Sequence, residues 1–296
     1  MPELSSRWVE GAGGVRLHCK VAGQGRLVLF LHGFPEFWYC WRRQLEHFGA
    51  DHLAVAPDLR GYNLSDRPAD PKDYRMKLLV EDIQRLADAH TDQPFVLVAH
   101  DWGGAAAWAY AQAFPEKLSH LVILNSPHPY TFWRELAHNP AQQKASDYFL
   151  LFRDAKAERV LSENDYARLT QMRFGGLGGL ASAPDPAQRA AYLEAWVQPG
   201  ALTGSLNWYR ATPLYPPSAQ DPGARKLALN PADFTVRVPT LVMWGERDTA
   251  LLPCLLDGLA PLVPDLRIVR VPEASHWILD EAPDRVNQEI RSFIGG

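Results

Sequence analysis

Short, unbroken apolar runs alternate with longer segments of helical periodicity through the first part of the chain. Leu27-Val-Leu-Phe-Leu31 and Phe95-Val-Leu-Val-Ala99 have strand length and no polar position, as strands covered on both faces do. Leu53–Ala56 and Leu121–Leu124 repeat the pattern. Between them, Trp38–Phe48, Met76–His90 and Gly103–Phe114 predict helices; Leu79, Ile83 and Leu86 form one apolar stripe. Arg16–Val21 follows the turn-forming Gly11-Ala-Gly-Gly14 and predicts a hairpin partner for Trp8-Val9. From about Tyr130 to Ala228 no strand pattern is found. Helical segments (Ala145–Ser162, Asp165–Arg173, Ala187–Trp196) are separated there by Gly175–Gly179 and Pro213–Pro217. Strands resume at Thr240–Trp244 and Leu266–Val271, and Pro283–Phe293 closes the chain as a helix. The whole predicts a sheet with helices on both faces, interrupted by a helical insertion.

Composition narrows the function. Of 296 residues, 47% are hydrophobic and 22% charged, with a formal net charge of −4, so a disordered chain is excluded. No basic block predicts nucleic-acid binding. No apolar run is long enough to insert in a membrane, and the N-terminus lacks the pattern of a secretory signal. Three cysteines, Cys19, Cys40 and Cys254, lack metal-ligand spacing and read as reduced thiols of a cytoplasmic protein. Ten tryptophans are a surplus. Six of them, Trp38, Trp41, Trp102, Trp208, Trp244 and Trp277, fall near strand ends or in the insertion, where they predict the walls of an apolar pocket.

In open α/β sheets, binding sites lie at the carboxyl ends of the strands. Four such ends carry chemistry. His100-Asp-Trp-Gly-Gly104 has the strand–sharp turn–helix layout of a nucleophile elbow, with Asp101 where a serine is usual. An Asp at a helix start also serves as a cap. His32-Gly-Phe-Pro35 could aim the Phe34 N–H at the elbow and, with the Trp102 N–H, form an oxyanion hole. Trp244-Gly-Glu-Arg-Asp248 offers two acids, of which Asp248 lies deeper in the loop. His276, after the strand ending at Val271, is a candidate base among ten histidines. Nucleophile, acid and histidine stand in the order of the α/β hydrolases.

With these motifs, and with Asp58-Leu-Arg-Gly-Tyr62, Leu124-Asn-Ser-Pro-His-Pro129, Asn207-Trp-Tyr-Arg210 and Ser275-His-Trp277, nearly the whole chain resembles the soluble epoxide hydrolases of the α/β-hydrolase fold. The resemblance implies a mostly parallel eight-stranded sheet flanked by helices. Residues 1–128 and 229–296 would form the core domain and residues 129–228 an inserted helical cap. It places two cap tyrosines over the nucleophile, at Tyr209 in Asn-Trp-Tyr-Arg and at Tyr148 in Ser146-Asp-Tyr-Phe-Leu-Leu-Phe152. It implies no metal or cofactor, and leaves the oligomeric state open. The chain departs from the family at Asn63, where a glycine is more usual.

A carboxylate nucleophile suits substrates attacked at an sp³ carbon, because the resulting ester can be hydrolysed whereas a serine ether could not. The resemblance therefore implies attack of Asp101 on a small apolar epoxide. His276, oriented by Asp248, would then activate the water that releases a vicinal diol. Phe34, Trp102, Tyr148 and Tyr209 would line the substrate site, and the tyrosine hydroxyls would meet the opening oxygen. A haloalkane or haloacid dehalogenase of the same fold is the alternative. Haloalkane dehalogenases commonly pair the elbow tryptophan with Asn or Trp, where this chain offers Phe34. Fluoroacetate dehalogenases place arginines beside the nucleophile, and here Trp102 stands there. A non-catalytic ligand-binding protein of the fold would usually lack one member of the triad, and all candidates are present.

Overall fold

The computed structural model describes residues 3–175 and 185–295. Eight strands form one sheet: β1 (Ser5–Glu10), β2 (Arg16–Ala22), β3 (Leu27–Leu31), β4 (Leu53–Pro57), β5 (Phe95–His100), β6 (Leu118–Leu124), β7 (Thr240–Gly245) and β8 (Leu266–Val271). Their spatial order is β1-β2-β4-β3-β5-β6-β7-β8. The β1–β2 and β2–β4 pairs are antiparallel and the rest parallel. The predicted hairpin is present, with Trp8 opposite His18 and Val9 opposite Leu17.

The central strands are apolar throughout because each feeds two cores. Leu27, Leu29 and Leu31 of β3, with Phe95, Leu97 and Ala99 of β5, face one apolar cluster. Val28, Phe30, Val96 and Val98 face the other. Burying each such side chain contributes about 1.5–3 kcal/mol against chain entropy. Helices α1 (Arg42–Phe48), α2 (Met76–Asp88) and α3 (Asp101–Ala113) follow β3, β4 and β5, and the last helix covers the sheet through Val286, Ile290 and Ile294.

Between β6 and β7 lie α4 (Pro129–His138), α5 (Pro140–Ala145), α6 (Tyr148–Arg153), α7 (Ala157–Gly175), α8 (Pro186–Trp196) and α9 (Ala201–Ala211). The continuous helix expected over Ala145–Ser162 is broken into three pieces. The chain leaves α6 at Asp154, whose backbone is extended and whose carboxylate accepts from the Lys156 N–H at 2.9 Å. Such local bonding competes with helix continuation. The predicted break near residue 164 is present: Asn164, Asp165 and Tyr166 take positive φ values of 52°, 55° and 58° inside α7. Of the predicted glycine loop, Gly175 ends α7 and residues 176–179 lie outside the described residues. After β7 and β8, α10 (Ile278–Glu281) and α11 (Pro283–Ile294) complete the chain. Among the described residues, no helix is long and apolar enough to cross a membrane.

The unusual Asn63 has a physical reason. Its φ is +42°, a region asparagine tolerates better than most side chains, and its Nδ2 donates to Asp58 Oδ2 at 2.9 Å. The side chain thus supplies a bond that glycine could not.

Candidate active site

The site grows out of the crossing between β5 and α3. Asp101 sits at the turn with φ +49°, a left-handed conformation that a non-glycine residue adopts only under constraint. That turn lifts its carboxylate above the sheet and leaves the side chain 11% exposed. The helix departs so close to β3 that a Cβ on Gly103 would lie 2.5 Å from the backbone oxygens of Leu31 and His32. A Cβ on Gly33 would lie 2.2 Å from Asp101 Oδ1. The elbow therefore needs glycine at both places.

The loop after β3 is pinned by its histidine. His32 Nε2 accepts from the Leu59 N–H at 2.9 Å, which leaves Nδ1 to donate to the Gly33 carbonyl at 2.9 Å. So held, the Phe34 N–H donates to Asp101 Oδ1 at 2.8 Å. The Trp102 N–H belongs to the first turn of α3, whose amides have no intrahelical acceptor. Of the two expected oxyanion donors, the Phe34 N–H thus contacts the carboxylate group.

On the other side, His276 Nε2 lies 3.6 Å from Asp101 Oδ2, and His276 Nδ1 contacts Asp248 Oδ2 at 2.7 Å. Asp248 is buried and saturated: Oδ1 accepts from the Ala250 and Leu251 amides at 2.8 and 2.9 Å, and Oδ2 also accepts from Asn125 Nδ2 at 2.9 Å. Glu246, the other acid of that loop, is turned outward to Arg270 at 2.8 Å. Burial disfavours a charged imidazole at His276, but the Asp248 charge and hydrogen bond, then Asp101 and Glu36, outweigh it and raise its pKa to about 9.

Asn125 had no assigned part in the sequence reading. It adopts φ +38° at the end of β6, accepts from the Gly245 N–H at 2.8 Å and donates to Asp248. It thereby ties the ends of β6 and β7 and orients the acid. The sequence signal was its presence in Leu124-Asn-Ser-Pro-His-Pro129, which carried no chemistry by itself.

Tyr148 begins α6 and Tyr209 lies near the end of α9, their rings 6.1 Å apart and nearly perpendicular. Burial, then the Asp101 charge, pushes both phenols well above their ordinary pKa, so both keep their protons. Tyr148, Tyr209, Asp101, His276 and Phe34 together line a cavity of about 50 Å³. On the Trp102 side of Asp101 opens a larger cavity of about 360 Å³, walled by Trp102, Tyr148, Phe149, Trp208, Phe132 and Leu251 among others. The tryptophan expectation is corrected here. Of the six, Trp102 and Trp208 line this cavity. Trp41 and Trp244 are fully buried in the cores, Trp38 packs beneath Lys20, and Trp277 packs against Arg173. The large indoles serve the sheet–helix interfaces as much as the pocket.

A buried charged cluster underlies the histidine loop. His100 Nε2 contacts the His276 carbonyl at 2.9 Å, and Glu36 Oε2 lies 3.2 Å from His100 Nδ1. Arg173 of α7 pairs with Glu36 at 3.0 Å and with Asp280, while Tyr192 of α8 donates to Glu36 at 3.1 Å. Burial alone would raise the Glu36 pKa, but Arg173 and His100 hold it well below the carboxylate range. The three cysteines are free thiols.

Comparison with known proteins agrees with this architecture. A family model described as alpha/beta hydrolase fold matches residues 26–283. The AB hydrolase superfamily protein YfhM of Bacillus subtilis is 38% identical over 95% of each chain. Epoxide hydrolase 3 of Xenopus tropicalis is 36% identical over 95% of this chain and 75% of its own. Among solved structures, a mutant epoxide hydrolase from Bacillus megaterium superposes with a TM-score of 0.87 at 34% identity, covering 99% of this chain and 100% of its own. The chain belongs to the α/β-hydrolase fold family, among its epoxide hydrolases.

Proposed function

We propose that the protein hydrolyses epoxides to vicinal diols through an ester on Asp101. The observation that carries the reading is one carboxylate held at 2.8 Å by the Phe34 N–H, flanked at 3.6 Å by His276, and sharing a cavity with Tyr148 and Tyr209. Residues 129–228 act as the cap domain, and residues 1–128 with 229–296 as the core domain. The free thiols support a cytoplasmic location.

In the first step an Asp101 oxygen attacks one epoxide carbon, and the ring C–O bond breaks. The alkoxide takes a proton from Tyr148 or Tyr209. Ester formation removes the Asp101 charge that helped to hold up the His276 pKa. The imidazolium then gives its proton to replace the one the tyrosine lost, and His276 becomes a neutral base.

In the second step His276 takes a proton from water, and the hydroxide attacks Cγ of Asp101. The N–H groups of Phe34 and Trp102 hold the oxyanion; one such donor is worth about 10²–10³ in rate. Collapse breaks the ester C–O bond, and the departing alkoxide takes the proton of the new carboxyl group. Aspartate, imidazolium and both phenols are restored.

A leaving halide needs no proton. It needs a cradle of side-chain N–H donors, and beside Trp102 the loop offers the ring of Phe34. A single turnover in ¹⁸O-water with excess enzyme tests the scheme. The label is expected in the Asp101 side chain before the diol, and label passing straight into the diol would refute the covalent route. Halide release from a bromoalkane without diol from styrene oxide would favour the dehalogenase.

A further inference from the structure

Asp101 is shared by two cavities of very different size, about 50 Å³ and about 360 Å³. An epoxide ring over the carboxylate presents its two carbons to these two sides. From this asymmetry we infer that the enzyme acts on terminal epoxides: one carbon bears a large, uncharged, apolar substituent and the other bears only hydrogen. The inference rests on the epoxide reading given above.

The larger side admits the substituent. Its walls include Trp102, Phe149, Trp208, Phe132 and Leu214, and among the described residues that line it Asp101 is the only charged one. An ionised substituent would lose its hydration there without a partner, which costs more than the cavity returns. A flat apolar group gains instead from burial against the indoles.

The smaller side is closed in by Phe34, Phe152, Met172 and Ala250, and His276 opens onto it. The water that His276 deprotonates must fit there too. At about 50 Å³ against about 360 Å³, this side must hold both that water and whatever the second carbon carries. A substituent on the second carbon would compete with the water needed for hydrolysis for the space beside Met172 and Phe152.

Three epoxides with the same phenyl group test this: styrene oxide, trans-β-methylstyrene oxide and trans-stilbene oxide, which carry hydrogen, methyl and phenyl on the second carbon. The value of kcat/KM is expected to fall at each step, by about ten- to a hundredfold for the methyl alone. Met172→Ala enlarges the small side, so the ratio of trans-stilbene oxide to styrene oxide turnover should rise at least about tenfold in that variant. Because the ratio is compared between enzymes, the intrinsic reactivity of the two epoxides cancels. Turnover of trans-stilbene oxide within about threefold of styrene oxide by the wild type would overturn the inference while leaving the epoxide reading intact. An unchanged ratio in a folded Met172→Ala enzyme would overturn the assignment of the small side. Diol from none of the three would sink both readings.

Discussion

Arg153 donates to the backbone carbonyl of Tyr209. It also reaches the Thr212 carbonyl at 3.0 Å, and its guanidinium lies 3.9 Å above the Tyr215 ring. Because Arg153 ends the helix that Tyr148 begins, one side chain fixes the two tyrosines relative to each other. Arg153→Met keeps much of the bulk and removes the donors. It should slow ring opening by up to about a hundredfold, the scale of a small misplacement at a reacting centre. Ester hydrolysis, the step proposed for His276, should change less. Rapid-quench single turnovers resolve the two steps; equal losses in both would argue for a general loss of structure.

His276→Gln removes the proposed base but leaves Asp101 and the tyrosines. The ester should form and persist, adding the substrate mass to the intact protein in mass spectrometry, with turnover down by about 10²–10⁴-fold. Rapid full turnover would contradict the assigned role.

The same histidine gives a pH signature. Its pKa is about 9 in the folded chain, against about 6.5 for a free side chain. Between these values the folded state binds more protons than the unfolded one, so stability must fall as pH rises. The contribution is complete below pH of about 6.5 and is gone once pH has passed about 9. The wild-type Tm should therefore drop more steeply than that of His276→Gln between pH 7 and pH 10. Parallel curves would show that the histidine is not held as an imidazolium.

Asn125→Gly preserves the left-handed backbone and deletes only the side-chain bonds to Gly245 and Asp248. Loss of buried hydrogen bonds of this kind costs about 1–3 kcal/mol. Hydrolysis of the ester should slow through a looser Asp248, with ring opening nearly as fast as in the wild type.

Tyr148→Phe and Tyr209→Phe each remove one proposed donor to the developing alkoxide. Each should slow ring opening, and the double variant more than either, while the ester, once formed, is still hydrolysed. A double variant with unaltered ring opening would place the proton donor elsewhere.

The sheet and the elbow were legible because they rest on local chemistry: apolar runs long enough for a strand, and glycines where a helix must start against a neighbouring backbone. Loop depth also points to Asp248 as the acid facing His276, and Glu246 is turned outward to Arg270. Asn125 was not legible, since its two partners lie more than a hundred residues away and only the sheet brings them together. The breaks around α6 escaped for a different reason. Ser146 to Lys156 contains strong helix formers, and at the second break a single side-chain bond at Asp154 competes with the helix. The fate of the tryptophans could not be read from composition, because an indole serves a core and a pocket equally well.

The pairing of Glu36 with Arg173 bears on how a substrate gets in. Glu36 follows β3 and Arg173 belongs to α7, so lifting the insertion off the sheet would take Arg173 from both Glu36 and Asp280 and leave Glu36 beside His100. Breaking a buried pair of this kind costs about 3–5 kcal/mol. The pair therefore ties α7 to the loop after β3, and any opening that parts the insertion from the sheet carries that cost.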